Sequence, residues 1–306
     1  MAHWNASGSA RRGLGRLRPR VVARLGSLAT AAVAVLICAS WSGLSLANPL
    51  VGLVKELFHP PEVEMKEAYP ARPDGPSVDH SIYDELLSNH VREGGWVDYE
   101  GFARDRSRLD AYREVLAAAP FEELGRNQKL ALLMNAYNAF TLELILDHGR
   151  PASIRDIPSG NRWKAERWQI GSHTWSLDQI EHQQIRPKFV EPRIHFALVC
   201  AAVSCPPLRR EAYQADRLED QLEDQTKFVH AHDSWLDMLE SRDRIRLTRY
   251  YDWYDGDFVQ VAGSVLEYAA RHSPELRDRL NEPGRPEIEW IEYDWTLNSI
   301  ENQMPR

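Results

Sequence analysis

The stretch from His195 to Pro207, HFALVCAAVSCPP, places an imidazole and two thiols within thirteen residues. A thiol is a nucleophile only as its thiolate, which forms where a cationic neighbour or a helix N-terminus stabilises it. Arg193 to Val199 is an apolar run of strand length, and a strand over it puts Ile194, Phe196 and Leu198 on one face and His195, Ala197 and Val199 on the other. Cys200 then points away from His195, so a Cys200–His195 dyad requires the chain to bend at Val199–Cys200. Ala201-Ala202 permits such a bend. Cys200 and Cys205 can instead be bridged if the four residues between them turn back and bring the Cα atoms within about 7 Å. A disulfide, a reactive thiol and two small core residues all remain compatible with the spacing.

A second group lies just upstream. Leu177, Ile180, Gln184 and Ile185 mark the inner stripe of a helix, and Glu181 falls on that stripe. A carboxylate so placed is desolvated, which raises its pKa unless a cation or hydrogen-bond donors meet it. A clamp to Arg193 is one such solution, and an acid/base or orienting role is the other. His182 and Arg186 are four apart and able to share a ligand or a carboxylate. Asn135 and Asn138 interrupt a long apolar helix. A buried amide left unpaired costs about 1–3 kcal/mol, so both need partners: loop backbone, or for Asn138 an imidazole or substrate.

The elements that must position these residues mix helices with short strands. Helical periodicity covers Ser81–His90, Phe102–Ala119, Asn127–Asp147, Asp216–His230, Phe258–Arg271 and Pro274–Leu280. Asn127–Asp147 is apolar nearly all round, which predicts burial, and Gly149 and Pro151 end it. Ser176 with Gln179 three residues on matches a capping box. Arg167–Ile170 with His173–Trp175, and Trp235–Leu239 with Arg244–Thr248, read as antiparallel hairpins. Trp96–Tyr99 and Glu287–Tyr293 read as further strands. Strands and helices do not alternate regularly, so the expected class is α+β: a mainly helical single domain with short antiparallel hairpins, following an N-terminal membrane segment.

Six ordered motifs resemble a family known as domain of unknown function 547. They are Asn135-Ala136-Tyr137-Asn138-Ala139, Ser153-Ile154-Arg155-Asp156, Ser176 to His182 (SLDQIEH), His195 to Cys200 (HFALVC), Ser204-Cys205-Pro206, and Tyr293 to Asn298 (YDWTLN). The resemblance spans roughly residues 80–298. It implies an exported or lipid-anchored bacterial protein and carries no agreed activity. The motifs gather Asn138, Glu181, His182, His195 and Cys200, the parts of a papain-like or transglutaminase-like hydrolase by analogy.

Composition bounds the rest. The 306 residues are 43% hydrophobic and 27% charged, with ten tryptophans and eleven tyrosines suited to a plated core. The first 47 residues hold six arginines and no acid, leaving 31 basic against 45 acidic groups in the remainder. A body so acidic repels phosphate backbones, which argues against nucleic acid as a partner. Residues 1–24 read as a basic cytoplasmic region, and 25–47 as an uncharged membrane anchor or a signal peptide cleaved near Ala47. Residues 48–79 read as a proline-rich linker, 80–298 as the globular domain and 299–306 as a tail. The arginines keep the N-terminus inside, so the body is expected outside the cytoplasm, in the envelope. The chain has no GxGxxG, Walker, GxSxG or HExxH pattern, and its histidines are dispersed, with His230 and His232 expected in solvent at a helix end. Neither a cofactor nor a metal is expected.

The expected function is a thiol-dependent hydrolase or acyl-transferase acting on amide or ester bonds of an envelope substrate. Cys200 would be the nucleophile, His195 or His182 the base, and Asn138 or Glu181 the orienting group. The competing expectation is a binding or scaffold domain with a buried polar network and a Cys200–Cys205 disulfide.

Overall fold

A computed structural model describes residues 59–303. The expected basic region, the membrane segment, the first part of the proline-rich stretch and the last three residues lie outside the described residues. No helix among the described residues is long and apolar enough to cross a membrane.

The fold is α+β, with about half of the described residues in helices and two small sheets. Its axis is a 22-residue helix, Arg126–Asp147, in which every residue from Lys129 to Ile145 is buried. The chain leaves it through Gly149 at φ +73°, a left-handed conformation that costs a residue without a Cβ nothing. The helices Ser81–His90 (α1), Tyr99–Arg104 (α2) and Arg106–Ala117 (α3) precede this axis (α4), and α2 and α3 pack against it. The single helix expected over 102–119 is therefore two. Asp105 breaks it, leaving helical geometry while its carboxylate meets His90 Nε2 at 2.7 Å.

After the short turn of helix Ser159–Arg162 (α5), Trp168–Ile170 (β1) and His173–Trp175 (β2) form the expected antiparallel hairpin, with Trp168 opposite Trp175. Ser176 and Gln179 form the expected capping box at Leu177–Gln179 (α6), which runs directly into a π-helical turn, Ile180–Ile185. Leu218–His230 (α7) follows. Leu236–Asp237 (β3) and Arg244–Leu247 (β4) form the second antiparallel hairpin, and Glu287–Trp290 (β5) adds in parallel to β4. The terminal strand is thus shorter than expected and departs from a purely antiparallel pattern. Between β4 and β5 lie Tyr250–Trp253 (α8), Asp255–Ala262 (α9), Val265–His272 (α10) and Pro274–Leu280 (α11). The helix expected over 258–271 is divided at Gly263, φ +80°, and Ser264 caps its second half. The strand expected at Trp96–Tyr99 reduces to single bridges from Val97 to Val91 and Ser299.

Arg193–Val199 is not a strand. Pro192 opens a 3-10 helix, Pro192–Phe196, whose turn continues as Ala197 and Leu198 both bond to the carbonyl of Ile194. The segment lies between two apolar clusters. Ile194, Ala197, Leu198 and Val199 join the one around α4, while Phe196 joins the one built from β3, β4 and α9–α11. A run buried on all sides carries no period to separate helix from strand, and proline at the first position suits a helical start.

Residues 61–68, inside the proline-rich stretch, run along this body. Lys66 and Ala68 N–H donate to the carbonyls of Pro187 and Lys188, and Gln260 bonds both Met65 and Val63.

Candidate functional site

Glu181 lies on the π-helical turn and is buried, as its stripe position requires. Its carboxylate accepts from the Tyr137 hydroxyl at 3.0 Å and from Tyr254 at 2.7 Å. Burial alone would raise its pKa. His182, the Tyr254 hydrogen bond, His195 and Arg186 outweigh that and hold it below the usual carboxylate range. The expected clamp to Arg193 is not formed, because Arg193 pairs instead with Glu191 and Glu219 at 2.7 Å each.

Arg186 faces a different acid. Its guanidinium makes a two-pronged pair with Asp257, at 2.7 and 3.0 Å, and its Nη1 also reaches His182 Nδ1 at 3.1 Å and the Pro61 carbonyl at 2.8 Å. The other oxygen contact of Asp257 is with His195, whose Nε2 lies 2.8 Å from Oδ2, and the ring stacks on Tyr254 with centroids 3.9 Å apart. Burial lowers the His195 pKa, while Asp257 is held down at about 2 against its own burial by His195 and Arg186. With Arg186 already neutralising Asp257, His195 is best described as neutral, donating its Nε2–H; this assigns the tautomer from the hydrogen bond. His195 Nε2 is thus taken by Asp257, while the side-chain hydroxyls in contact with Cys200 Sγ are those of Tyr293 and Tyr250.

Asn138 also has a settled place. Its amide donates to the Ala197 carbonyl at 3.0 Å and accepts from Val199 N–H at 2.9 Å. Asn135 does the same for Tyr213, through its carbonyl and N–H at 2.8 and 2.9 Å. Each amide replaces a missing ladder partner for an irregular loop, so both asparagines hold backbone in register. Asn138 thereby fixes the chain immediately before Cys200.

At Ala201 the backbone takes φ +60°, one of two positive-φ non-glycine residues in the described chain. That conformation costs on the order of 1–2 kcal/mol for an L-residue. It turns the chain sharply after Cys200, and the C-terminal motif then braces the returning limb. Ala202 bridges Leu297, Val203 N–H donates to the Thr296 carbonyl, and the Ser204 hydroxyl accepts from Asp294 N–H. Asn298 N–H donates to the Ala201 carbonyl itself.

The turn brings the two sulfurs together. Both cysteines are free thiols, Cys200 half-buried and Cys205 buried, so the expected bridge is not present. Cys200 N–H donates to Cys205 Sγ at 3.0 Å. The Tyr293 hydroxyl lies 3.0 Å from Cys200 Sγ, and the Tyr250 hydroxyl lies 3.1 Å from Cys205 Sγ and 3.7 Å from Cys200 Sγ. Hydrogen bonds from Cys205, Tyr293, Tyr250 and the Ala202 backbone favour the Cys200 thiolate over the penalty of burial, so its pKa falls. Burial and the neighbouring thiol push the Cys205 pKa well up. The stabilising groups are phenols, a thiol and backbone, with no imidazole among them.

Half-buried aromatic rings continue from Tyr293, the phenol on Cys200. Trp253 lies 4.8 Å from Tyr293 and 5.9 Å from Trp295, and Tyr293 lies 4.6 Å from Trp295, centroid to centroid. The Arg155 guanidinium sits 5.4 Å from the Trp295 ring. Cys200 also affects the ionisation of Tyr137 and Tyr254, so the phenols on Glu181 and those on the thiol belong to one neighbourhood.

Of the five residues picked out in sequence, Glu181, His182 and His195 join one polar cluster through Tyr254, Arg186 and Asp257. Cys200 neighbours that cluster, and Asn138 supports it from behind. Sequence reasoning missed Asp257, Tyr250, Tyr254 and Tyr293. The repeated Tyr-Asp-Trp at Tyr251–Trp253 and Tyr293–Trp295, whose first copy Tyr250 and Tyr254 flank, is the signal available for the three tyrosines. His230 is also misplaced: it is buried, bonded to the Thr226 carbonyl and the Tyr251 hydroxyl, and its pKa is lowered by burial to about 3. No three His, Cys, Asp or Glu side chains among the described residues gather as metal ligands.

Residues 121–229 match the model of a family described as Protein of unknown function, DUF547. That span runs from before α4 to the penultimate residue of α7, and holds Asn138, Glu181, His182, His195, Cys200 and Cys205. Asp257 and the tyrosines at 250, 254 and 293 lie beyond it. No curated protein and no solved structure matches the chain.

Proposed function

We propose that this domain is a thiol enzyme of the cell envelope, in which Cys200 attacks the carbonyl carbon of an amide or ester. The observation that supports this is the half-buried Cys200 thiol, held among hydrogen-bond donors that favour its thiolate and beside rings able to bind substrate. In the acylation step the Cys200 Sγ–carbon bond forms and the bond to the amine or alcohol breaks. The proton that leaves the thiol passes to the departing group, with the Tyr293 hydroxyl, 3.0 Å from Sγ, as carrier. Water or a second amine then takes the acyl group from the thioester. His195 and Asn138 are positioning residues in this reading, His195 through Tyr254 and Asp257, and Asn138 through the backbone before Cys200. Glu181 and His182 orient Tyr254 and the substrate edge nearest to them.

The test is mass spectrometry of the purified protein after an activated aryl ester. With the third cysteine of the chain replaced, Cys38→Ser, one acyl group should be found on Cys200 and none once Cys200→Ser is added. A folded protein that acquires no acyl group overturns the reading. The buried polar network favours the second reading, a binding domain, because Asn135, Asn138, His195 and Arg186 all have internal partners and need no substrate. The envelope location rests on the arginine-rich start and acidic remainder. A C-terminal reporter that works only after export should be active, and activity from a cytoplasm-only reporter instead would overturn it.

A further inference from the structure

We propose that Cys200 and Cys205 are a dithiol pair that reduces disulfide bonds of a protein partner, Cys200 attacking and Cys205 resolving. This goes beyond acyl transfer, because it gives Cys205 a covalent role, where acyl transfer uses it only as a hydrogen-bond donor to Cys200.

The geometry separates the two sulfurs by role. A thiol that exchanges with a partner must reach solvent as a thiolate, and the thiol that completes the exchange must sit beside it and stay protected from other oxidants. Cys200 is half-buried and Cys205 is 3% exposed. Five residues apart, they meet because the positive φ of Ala201 reverses the chain and Cys205 N–H closes a turn onto the Ala202 carbonyl. The strain at Ala201 has no use in an inert core, where two small residues pack equally well on relaxed backbone. Tyr250 lies against both sulfurs, 3.1 Å from one and 3.7 Å from the other, placed to hold whichever is negative as the exchange proceeds. The opposite directions of the two pKa shifts agree with this division. An oxidising envelope supplies disulfides as substrates.

The step balances without a further reagent. Cys200 thiolate attacks one sulfur of the partner's disulfide, forming a mixed disulfide as the partner's S–S bond breaks. The departing thiolate takes the proton that Cys200 lost. Cys205 then attacks Cys200 Sγ, the mixed disulfide breaks, and the second departing thiolate takes the Cys205 proton. The partner gains two electrons and the domain holds a Cys200–Cys205 disulfide. Return to the dithiol requires a second dithiol donor from the same compartment.

The experiment uses the full chain carrying Cys38→Ser, which removes the third cysteine of the sequence and serves as the parent, reduced and freed of reductant, with an aryl disulfide that releases a coloured thiolate. The parent should release two thiolates per molecule and retain no aryl adduct. Cys205→Ser should release one and keep the adduct on Cys200, and Cys200→Ser should release none at early times. Tyr250→Phe loses a contact to each sulfur, the shorter one to Cys205, so it should slow both releases and the second at least about tenfold more than the first, which covers the case in which Cys205→Ser fails to fold. A parent that retains one adduct, or two, overturns the proposal. Running the active ester on the same variants separates the two readings. Acylation intact in Cys205→Ser with no exchange in the parent removes the exchange alone, whereas exchange without acylation removes acyl transfer alone.

Discussion

The backbone N–H of Cys200 points at the Sγ of Cys205, 3.0 Å away, so the first thiol's own main chain supports the second. The polar side chains around them divide into those that touch sulfur, Tyr250 and Tyr293, and those that hold the surrounding backbone and rings, Asn138, Glu181, His195 and Asp257.

Cys200 should react and Cys205 should not. Its pKa lies below that of an ordinary thiol, chiefly through the Cys205 hydrogen bond, so a larger fraction is thiolate under mildly acidic conditions. Iodoacetamide at about pH 6 should label Cys200 faster than a free small thiol, and Cys205 only after unfolding. Equal labelling of both would contradict the burial of Cys205.

Tyr293→Phe should weaken Cys200 without unfolding the domain. Removing the hydroxyl 3.0 Å from Sγ takes away one stabilising hydrogen bond and raises the thiol pKa. Alkylation near neutral pH should slow severalfold, because a smaller fraction of the thiol is ionised. The pH–rate profile checks this: it should move to higher pH with its plateau unchanged.

Glu181→Ala should destabilise, and Glu181→Gln should recover part of the loss. The alanine strands the Tyr137 and Tyr254 hydroxyls, while the amide oxygen of glutamine still accepts. The expected cost is about 2–4 kcal/mol for alanine and roughly half that for glutamine, read from denaturant midpoints. An unchanged midpoint in the alanine variant would show that the phenols find other partners.

Asn138→Ala should cost about 2–3 kcal/mol, because it leaves a buried carbonyl at Ala197 and a buried N–H at Val199 unpaired. It should also lower the labelling selectivity between Cys200 and Cys205, since the loop before Cys200 loses its tie to α4. Hydrogen exchange at Val199 N–H gives the same test locally.

Stability should fall as pH drops below about 6.5, the unperturbed histidine value. Burial lowers His230 to about 3 and His80 to about 4 in the folded state. Between those values and 6.5 the unfolded chain binds protons that the folded chain does not, so acid favours unfolding. Each such histidine contributes a slope of up to about 1.4 kcal/mol per pH unit, complete once the folded value is reached. Denaturant midpoints at about pH 7 and about pH 4.5 should differ accordingly, and His230→Gln should flatten the curve. An unaltered slope in that variant would place the effect on other groups.

Local chemistry made several elements legible from the residues alone. The α4 helix was readable because apolar side chains fill its whole circumference, and the Ser176 cap because a hydroxyl and an amide three residues apart satisfy each other's backbone. The β1–β2 hairpin was readable because Gly171 takes φ +56° between two short alternating runs. The burial and pairing of Glu181 are legible because a carboxylate on an apolar stripe must have partners. The partners were not readable. Tyr254 lies 73 residues from Glu181 and Asp257 lies 62 from His195, and no periodic signal links positions so far apart. The 3-10 geometry at Pro192–Phe196 was hidden for a related reason, since burial between two clusters removes the alternation that distinguishes helix from strand. The meeting of the two thiols depended on one backbone angle at Ala201. That angle is imposed by the braces to Thr296, Leu297 and Asn298, nearly a hundred residues away, where tertiary hydrogen bonds override the local preference of an alanine for negative φ.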